Sequence, residues 1–152
     1  MKIAVCSDEP YAVHARVLSE LRKRGHEPVL FGAFAEEAKG KAVPWAPAAE
    51  EAARAVSEGR CEEGVFFCWT GTGISIAANK VPGVRAALCG DPGTAAGARV
   101  WNHANVLCLS NRTLSEDVAG EILEAWFDTV PGEKGSEGVA LLEEIDRRYR
   151  RG

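Results

Sequence analysis

Short apolar runs alternate along this chain with stretches of helical periodicity. Runs rich in Val, Leu, Ile and Phe recur at Lys2–Asp8, Glu27–Gly32, Glu63–Thr70, Val84–Asp91 and Ala104–Ser110, each short enough for a buried strand rather than a helix. Between them, Val13, Val17, Leu18 and Leu21 share one face of a predicted helix that stops at Gly25, and an alanine-rich helix over Ala48–Val56 stops at Gly59. Further helices are predicted over Gly73–Lys80, Thr94–Trp101 and Ser115–Phe127, the last with Ser115 as N-cap and Asp117 in its first turn. Ala33–Pro47, with two prolines, reads as an exposed connection holding one helical turn. After the glycine-rich Val130–Gly138, Val139, Leu142 and Ile145 mark a final helix whose end carries Arg147, Arg148, Arg150 and Arg151.

This βα alternation predicts a Rossmann-like three-layer αβα sandwich: a five-stranded parallel sheet, helices on both faces and a C-terminal helix, with function at the carboxyl ends of the strands. The 152 residues are 46% hydrophobic, enough for one domain, residues 1–152, with its own core. A net charge of −4 gives no excess of positive surface for nucleic acid or anionic lipid. No run approaches the length of a membrane span, and Met1-Lys2-Ile3 leads straight into a strand without signal-peptide architecture, so the expected location is the cytoplasm. Cys6, Cys61, Cys68, Cys89 and Cys108 lack zinc-type or redox-type spacing, and neither disulfides nor a metal are expected.

The stretch Cys68-Trp69-Thr70-Gly71-Thr72-Gly73-Ile74-Ser75 carries the chemistry. A strand breaks there into a Gly/Thr loop and enters a helix, so the last strand side chains face a cleft and the first helical N–H groups await an anion. The loop lacks the Lys-Ser ending of a P-loop and the glycine spacing of a dinucleotide site. A cysteine ahead of such a loop is a nucleophile, a proton acceptor or a buried strand residue, and the residues alone leave these open.

The run from Cys68 to Lys80, followed by Gly83-Val84-Arg85-Ala86, resembles the signature of the ribose-5-phosphate isomerase B and galactose-6-phosphate isomerase family. The likeness extends from Ile3 to about Ile145 and includes Asp8, Asn102, Asn105-Val106-Leu107 and Arg112. It implies an aldose–ketose isomerase without cofactor, working through a cis-enediolate. Cys68 would be the base, helped by Thr70, and the N–H groups of Gly71, Thr72, Gly73, Ile74 and Ser75 would hold the oxyanion. Family members without the cysteine use Glu where Ile74 stands here. The resemblance also implies a homodimer or homotetramer with active sites completed across the interface, Asn102 and His103 reaching over it.

This chain departs from the family where the substrate would be read. Asp8-Glu9 stands in place of Asp-His, which makes Glu9 a candidate acid or base. Trp101-Asn102 replaces the His-Asn pair whose histidine is credited with opening a furanose ring, a proton transfer that indole cannot perform; His103 lies two positions on. Trp69 replaces a common Gly, and Trp69, Trp101 and Trp45 suggest aromatic walls for a sugar. Lys134 and Gly138 occupy the positions of two phosphate-binding arginines, leaving Arg112 and Lys134 as anion ligands. The expected substrate is therefore a sugar phosphate or related sugar, with a shorter or open-chain ketose among the candidates. The alternative is a homologue that binds a sugar-like metabolite without turnover.

Overall fold

The computed structural model describes residues 1–150; Arg151, expected in the basic end of the last helix, lies outside them. Strands β1 (Lys2–Ser7), β2 (Glu27–Gly32), β3 (Glu63–Cys68), β4 (Ala86–Leu88) and β5 (Val106–Ser110) form one parallel sheet in the order β2-β1-β3-β5-β4. The chain steps outward from β1 to β2, then crosses back to place β3 on the other side of β1. The carboxyl ends of β1 and β3 therefore flank a topological switch point, where open α/β sheets leave a crevice.

Helices α1 (Val13–Lys23), α4 (Pro92–Asn102) and α5 (Glu116–Asp128) cover one face, and α2 (Trp45–Ser57) and α3 (Thr72–Ala78) the other. Each face has its own core. On the first, Val17, Leu21, Ile122 and Trp126 meet Ile3, Val5, Phe67 and Leu107. On the second, Ala48, Ala49, Ala52, Ala53 and Ala55 are all buried, and their small side chains let α2 lie close over Cys6, Phe66 and Cys68. The last helix, α6 (Ser136–Tyr149), rests on α4 and buries none of its residues; Leu141, Leu142 and Ile145 stay about half exposed.

The expected three-layer architecture is what forms, with local differences that have physical causes. Helix α2 starts at Trp45, three residues before the expected Ala48, because Pro44 sits at the N-cap and Pro47 in the first turn, where a missing N–H costs nothing. Strand β3 ends at Cys68, two residues short of Thr70, where the chain turns toward Gly71 at φ +78°. Strand β4 shrinks to three residues and has β5 as its single neighbour. At the opposite edge, Pro28 of β2 lies across from Ile3.

The amino end of the sheet is closed by a buried polar cluster. Arg99 Nη2 meets Glu63 Oε1 at 2.7 Å, and Trp126 Nε1 donates to Glu63 Oε2 at 2.9 Å. Arg99 also donates to Ala104 O at 2.7 Å and Thr129 O at 3.2 Å, and its guanidinium lies 4.8 Å from the Trp126 ring centroid. Every charge in the cluster is paired, the condition under which buried charges persist.

Candidate active site

Cys68 is the last residue of β3 and is 5% exposed, its side chain in the layer beneath α2 and α3. Cys6 of β1 and Cys108 of β5 share that layer, and burial pushes both thiols far up, so they stay protonated. Cys89, beyond β4, is pushed up to about 11, first by burial and then by the charge of Asp91.

Beyond Cys68 the chain must reverse tightly, and Gly71 is required twice over. Its φ of +78° belongs to the left-handed region, and a Cβ there would come within 2.5 Å of Leu88 Cδ1 and 3.1 Å of the Leu109 backbone. Gly71 then caps α3, whose first N–H groups, at Thr72, Gly73 and Ile74, have no carbonyl one turn behind them. Ser75 is the exception to the expected donor set: its N–H bonds Gly71 O at 3.3 Å, and its hydroxyl turns inward to the Cys108 thiol. Ile74 contributes backbone alone, since its side chain is fully buried in the core. Thr70 and Thr72 share a hydroxyl hydrogen bond of 2.6 Å at the mouth of the loop.

The rear of the same motif builds the edge of the sheet. Asn79 Nδ2 donates to Ala86 O at 2.9 Å while its Oδ1 accepts from Ala86 N at 2.8 Å, pinning β4. Asn105 does the same work at the other end, accepting from Arg85 N and donating to Gly83 O. These asparagines hold the scaffold rather than a ligand.

Asp8 follows β1 across the switch point. Its carboxyl is pushed up by burial and then by the charge of Glu9, and its Oδ1 is, among the described residues, the one buried side-chain polar atom without a partner. An unpaired buried acceptor is costly unless a ligand supplies the donor. Glu9 is partly buried and accepts from the Tyr11 hydroxyl at 3.1 Å. The Tyr11 ring lies 5.7 Å from that of Trp69, which is half exposed, so the two form an aromatic wall beside Cys68. Trp45 covers the other flank of the loop: a Cβ on Gly73 would stand 3.2 Å from its ring. Arg112, after β5, shares a cavity of about 270 Å³ with Thr70, Cys89 and Ser110.

Trp101, Asn102, His103 and Lys134 are not part of this cleft. Helix α4 runs back from the carboxyl edge, so its last residues sit at the amino edge, where Arg85 Nε donates to His103 O. The five residues of β5 alone separate the two edges by roughly 16 Å. His103, in the left-handed region at φ +46°, pairs its Nε2 with Gly132 O at 2.8 Å, which anchors the turn carrying Lys134. Within one chain, then, Asp8, Glu9, Cys68, Thr70, the Gly71 turn and Arg112 converge, and the remaining expected residues do not.

Sequence reasoning overlooked three neighbours of the site. His14 is 4% exposed and pairs its Nε2 with Asn111 Oδ1 at 2.7 Å, while Tyr11 N–H donates to its Nδ1 at 3.2 Å. The signal was present: His14 precedes Val17, Leu18 and Leu21 by three, four and seven positions and so shares their apolar face.

Residues 3–142 match the family described as Ribose/Galactose Isomerase. A relative from Listeria innocua, ribose-5-P isomerase B, is 32% identical over 152 residues, covering 99% of this chain and all of the relative. A D-erythrulose-4-phosphate isomerase from Pectobacterium atrosepticum is 43% identical over 76 residues, half of each chain. Among solved structures, ribose-5-phosphate isomerase B of Clostridium thermocellum superposes with a TM-score of 0.89 at 37% identity, covering 99% of this chain and 100% of that one. With the signature loop at the switch point of the same fold, and a match over nearly the whole length, the chain belongs to the Ribose/Galactose Isomerase family.

Proposed function

We propose that this protein interconverts the aldose and ketose forms of a short phosphorylated sugar, with Cys68 as the base. The observation that carries the reading is the meeting of Cys68, the Gly71 turn and the unpartnered Asp8 Oδ1 at the β1/β3 switch point. Starting from the ketose, the Cys68 thiolate takes a proton from C1. The C–H electron pair becomes the C1=C2 bond, and the carbonyl oxygen becomes an oxyanion facing the N–H groups of Thr72, Gly73 and Ile74. The thiol returns its proton to C2 as the O1 electrons reform a carbonyl at C1. The hydroxyl proton passes from O1 to O2, with Thr70 and Glu9 placed to carry it. Hydrogen only changes position within the substrate, so the reaction is redox-neutral and needs no external oxidant or reductant.

The surroundings favour a sugar that stays open. Trp101 cannot open a furanose ring, and a tetrulose 4-phosphate has no free hydroxyl to close one. The likeness to a D-erythrulose-4-phosphate isomerase supports that choice. Arg112 and Lys134 are the cations available for the phosphate, Lys134 coming from a second copy. A homodimer, or a tetramer built from it, would bring Asn102 and Lys134 of one subunit to the Cys68 cleft of another. The half-exposed Trp101, Leu141, Leu142 and Ile145 supply apolar surface for that contact. Phosphorylated sugars are intracellular metabolites, which agrees with the cytoplasm as the working location.

The test is solvent deuterium exchange into the carbon beside the carbonyl, measured over a panel of tetrose, pentose and hexose phosphates. Tetrulose 4-phosphate should exchange and isomerise faster than ribose 5-phosphate. Thermal stabilisation by sugar phosphates without exchange into any of them would instead identify a non-catalytic binding protein.

A further inference from the structure

We infer that His14 and Asn111 form a buried tether that positions the substrate-facing residues of three strand ends, with His14 as a positioning residue. Its catalytic consequence rests on the isomerase reading; the tether itself does not. The hydrogen bonds run in one direction. Tyr11 N–H donates to His14 Nδ1, which places the imidazole proton on Nε2, and Nε2–H donates to Asn111 Oδ1 at 2.7 Å. Asn111 Nδ2 donates to Ser7 Oγ at 3.3 Å, and the Ser7 hydroxyl donates to Glu9 O at 2.7 Å while accepting from Glu9 N. The circuit leaves the loop after β1 at Tyr11 and re-enters it at Glu9.

Ser7, His14 and Asn111 are all at least nine-tenths buried, so water cannot substitute for a missing partner. The imidazole is wedged between Phe34 and Phe67, at centroid distances of 4.8 and 4.5 Å, and burial lowers its proton affinity, keeping it in the neutral form that the circuit needs. Asn111 carries the link onward. Its backbone N–H bonds Cys68 O, and the next N–H, at Arg112, bonds Trp69 O, each at 2.9 Å. One pair of side chains, 97 residues apart in sequence, thus joins the segments that bear Glu9, Cys68 and Arg112. Tyr11, whose amide begins the circuit, also packs on Trp69 and bonds Glu9, so the aromatic wall is set by the same connection.

The experiment compares full-length wild type, His14→Leu, His14→Gln and Asn111→Leu. Ring ¹⁵N shifts of wild-type His14 should report the neutral Nε2–H tautomer at about pH 7, above the ordinary histidine pKa. In His14→Leu, amide exchange at Tyr11 and Arg112 should accelerate at least about tenfold after correction for global stability. With the tetrulose phosphate as substrate, KM should rise about tenfold with kcat changed much less, and His14→Gln, which keeps an N–H donor for Asn111, should recover most of the loss. A folded His14→Leu with unchanged exchange at both amides and unchanged KM would overturn the inference, as would an Nδ1–H tautomer in wild type. If His14→Leu fails to fold, Asn111→Leu carries the same readouts. If wild type turns over nothing in the sugar panel, the isomerase reading falls, and the exchange rates and ring shifts alone decide the tether.

Discussion

Two acidic residues at opposite ends of neighbouring strands meet opposite fates. Glu63 opens β3 at the amino edge, buried and fully paired with Arg99 and Trp126. Asp8 follows β1 at the carboxyl edge, and its buried Oδ1 has no partner. A fold that satisfies one buried carboxyl completely and leaves another lacking is spending stability in a particular place, the usual mark of a site awaiting a ligand. The amino edge holds the protein together; the carboxyl edge carries the proposed chemistry.

Three substitutions sharpen or break that contrast. Cys68→Ser should lower kcat by about 10²–10⁴-fold, the range for a lost general base, while the melting temperature stays near wild type. Steady-state kinetics beside a thermal melt check it, and turnover within a few-fold of wild type would move the base elsewhere. Arg99→Met leaves Glu63 buried without its cation and should cost about 3–5 kcal/mol of stability in denaturant unfolding. An undiminished midpoint there would mean that the amino edge is not where stability resides. The smallest effect is the most diagnostic. Burial raises the Asp8 pKa, so the folded state binds its proton more tightly than the unfolded chain does. That contribution favours folding in acid and is lost as pH rises through the folded pKa, so ionised Asp8 opposes folding at neutral pH. Asp8→Asn should therefore be slightly more stable than wild type at pH 7, with that advantage vanishing in acid, while sugar-phosphate binding weakens. Equal stability curves at both pH values would show that Asp8 carries no such strain.

Much of the fold was legible because each strand is an unbroken apolar run and the helices between them keep a clean face, as Val13, Val17 and Leu21 do. The start of α2 was not, because Pro44 and Pro47 signal a loop whenever the first turn of a helix is not considered. The site was half legible. A cysteine followed by Thr70-Gly71-Thr72-Gly73 announces a strand breaking into a helix, and its local geometry follows from those residues. What joins β1 to β5 leaves no such trace: His14 and Asn111 belong to no shared period, and their pairing exists only once the sheet has closed. The inward turn of Ser75 was hidden for the same reason, since Cys108 lies on another strand. The placement of Trp101, Asn102, His103 and Lys134 at the far edge is a property of topology that a linear motif cannot carry.

The two outer strands of the sheet bear on how copies of this protein can meet. Pro28 deprives β2 of a backbone donor, and β4 offers three residues, too few to template a neighbour. Neither margin invites strand addition. Both features disfavour the open-ended stacking through which exposed sheet margins grow into fibres, and leave helical surfaces as the ground on which the proposed association would be built.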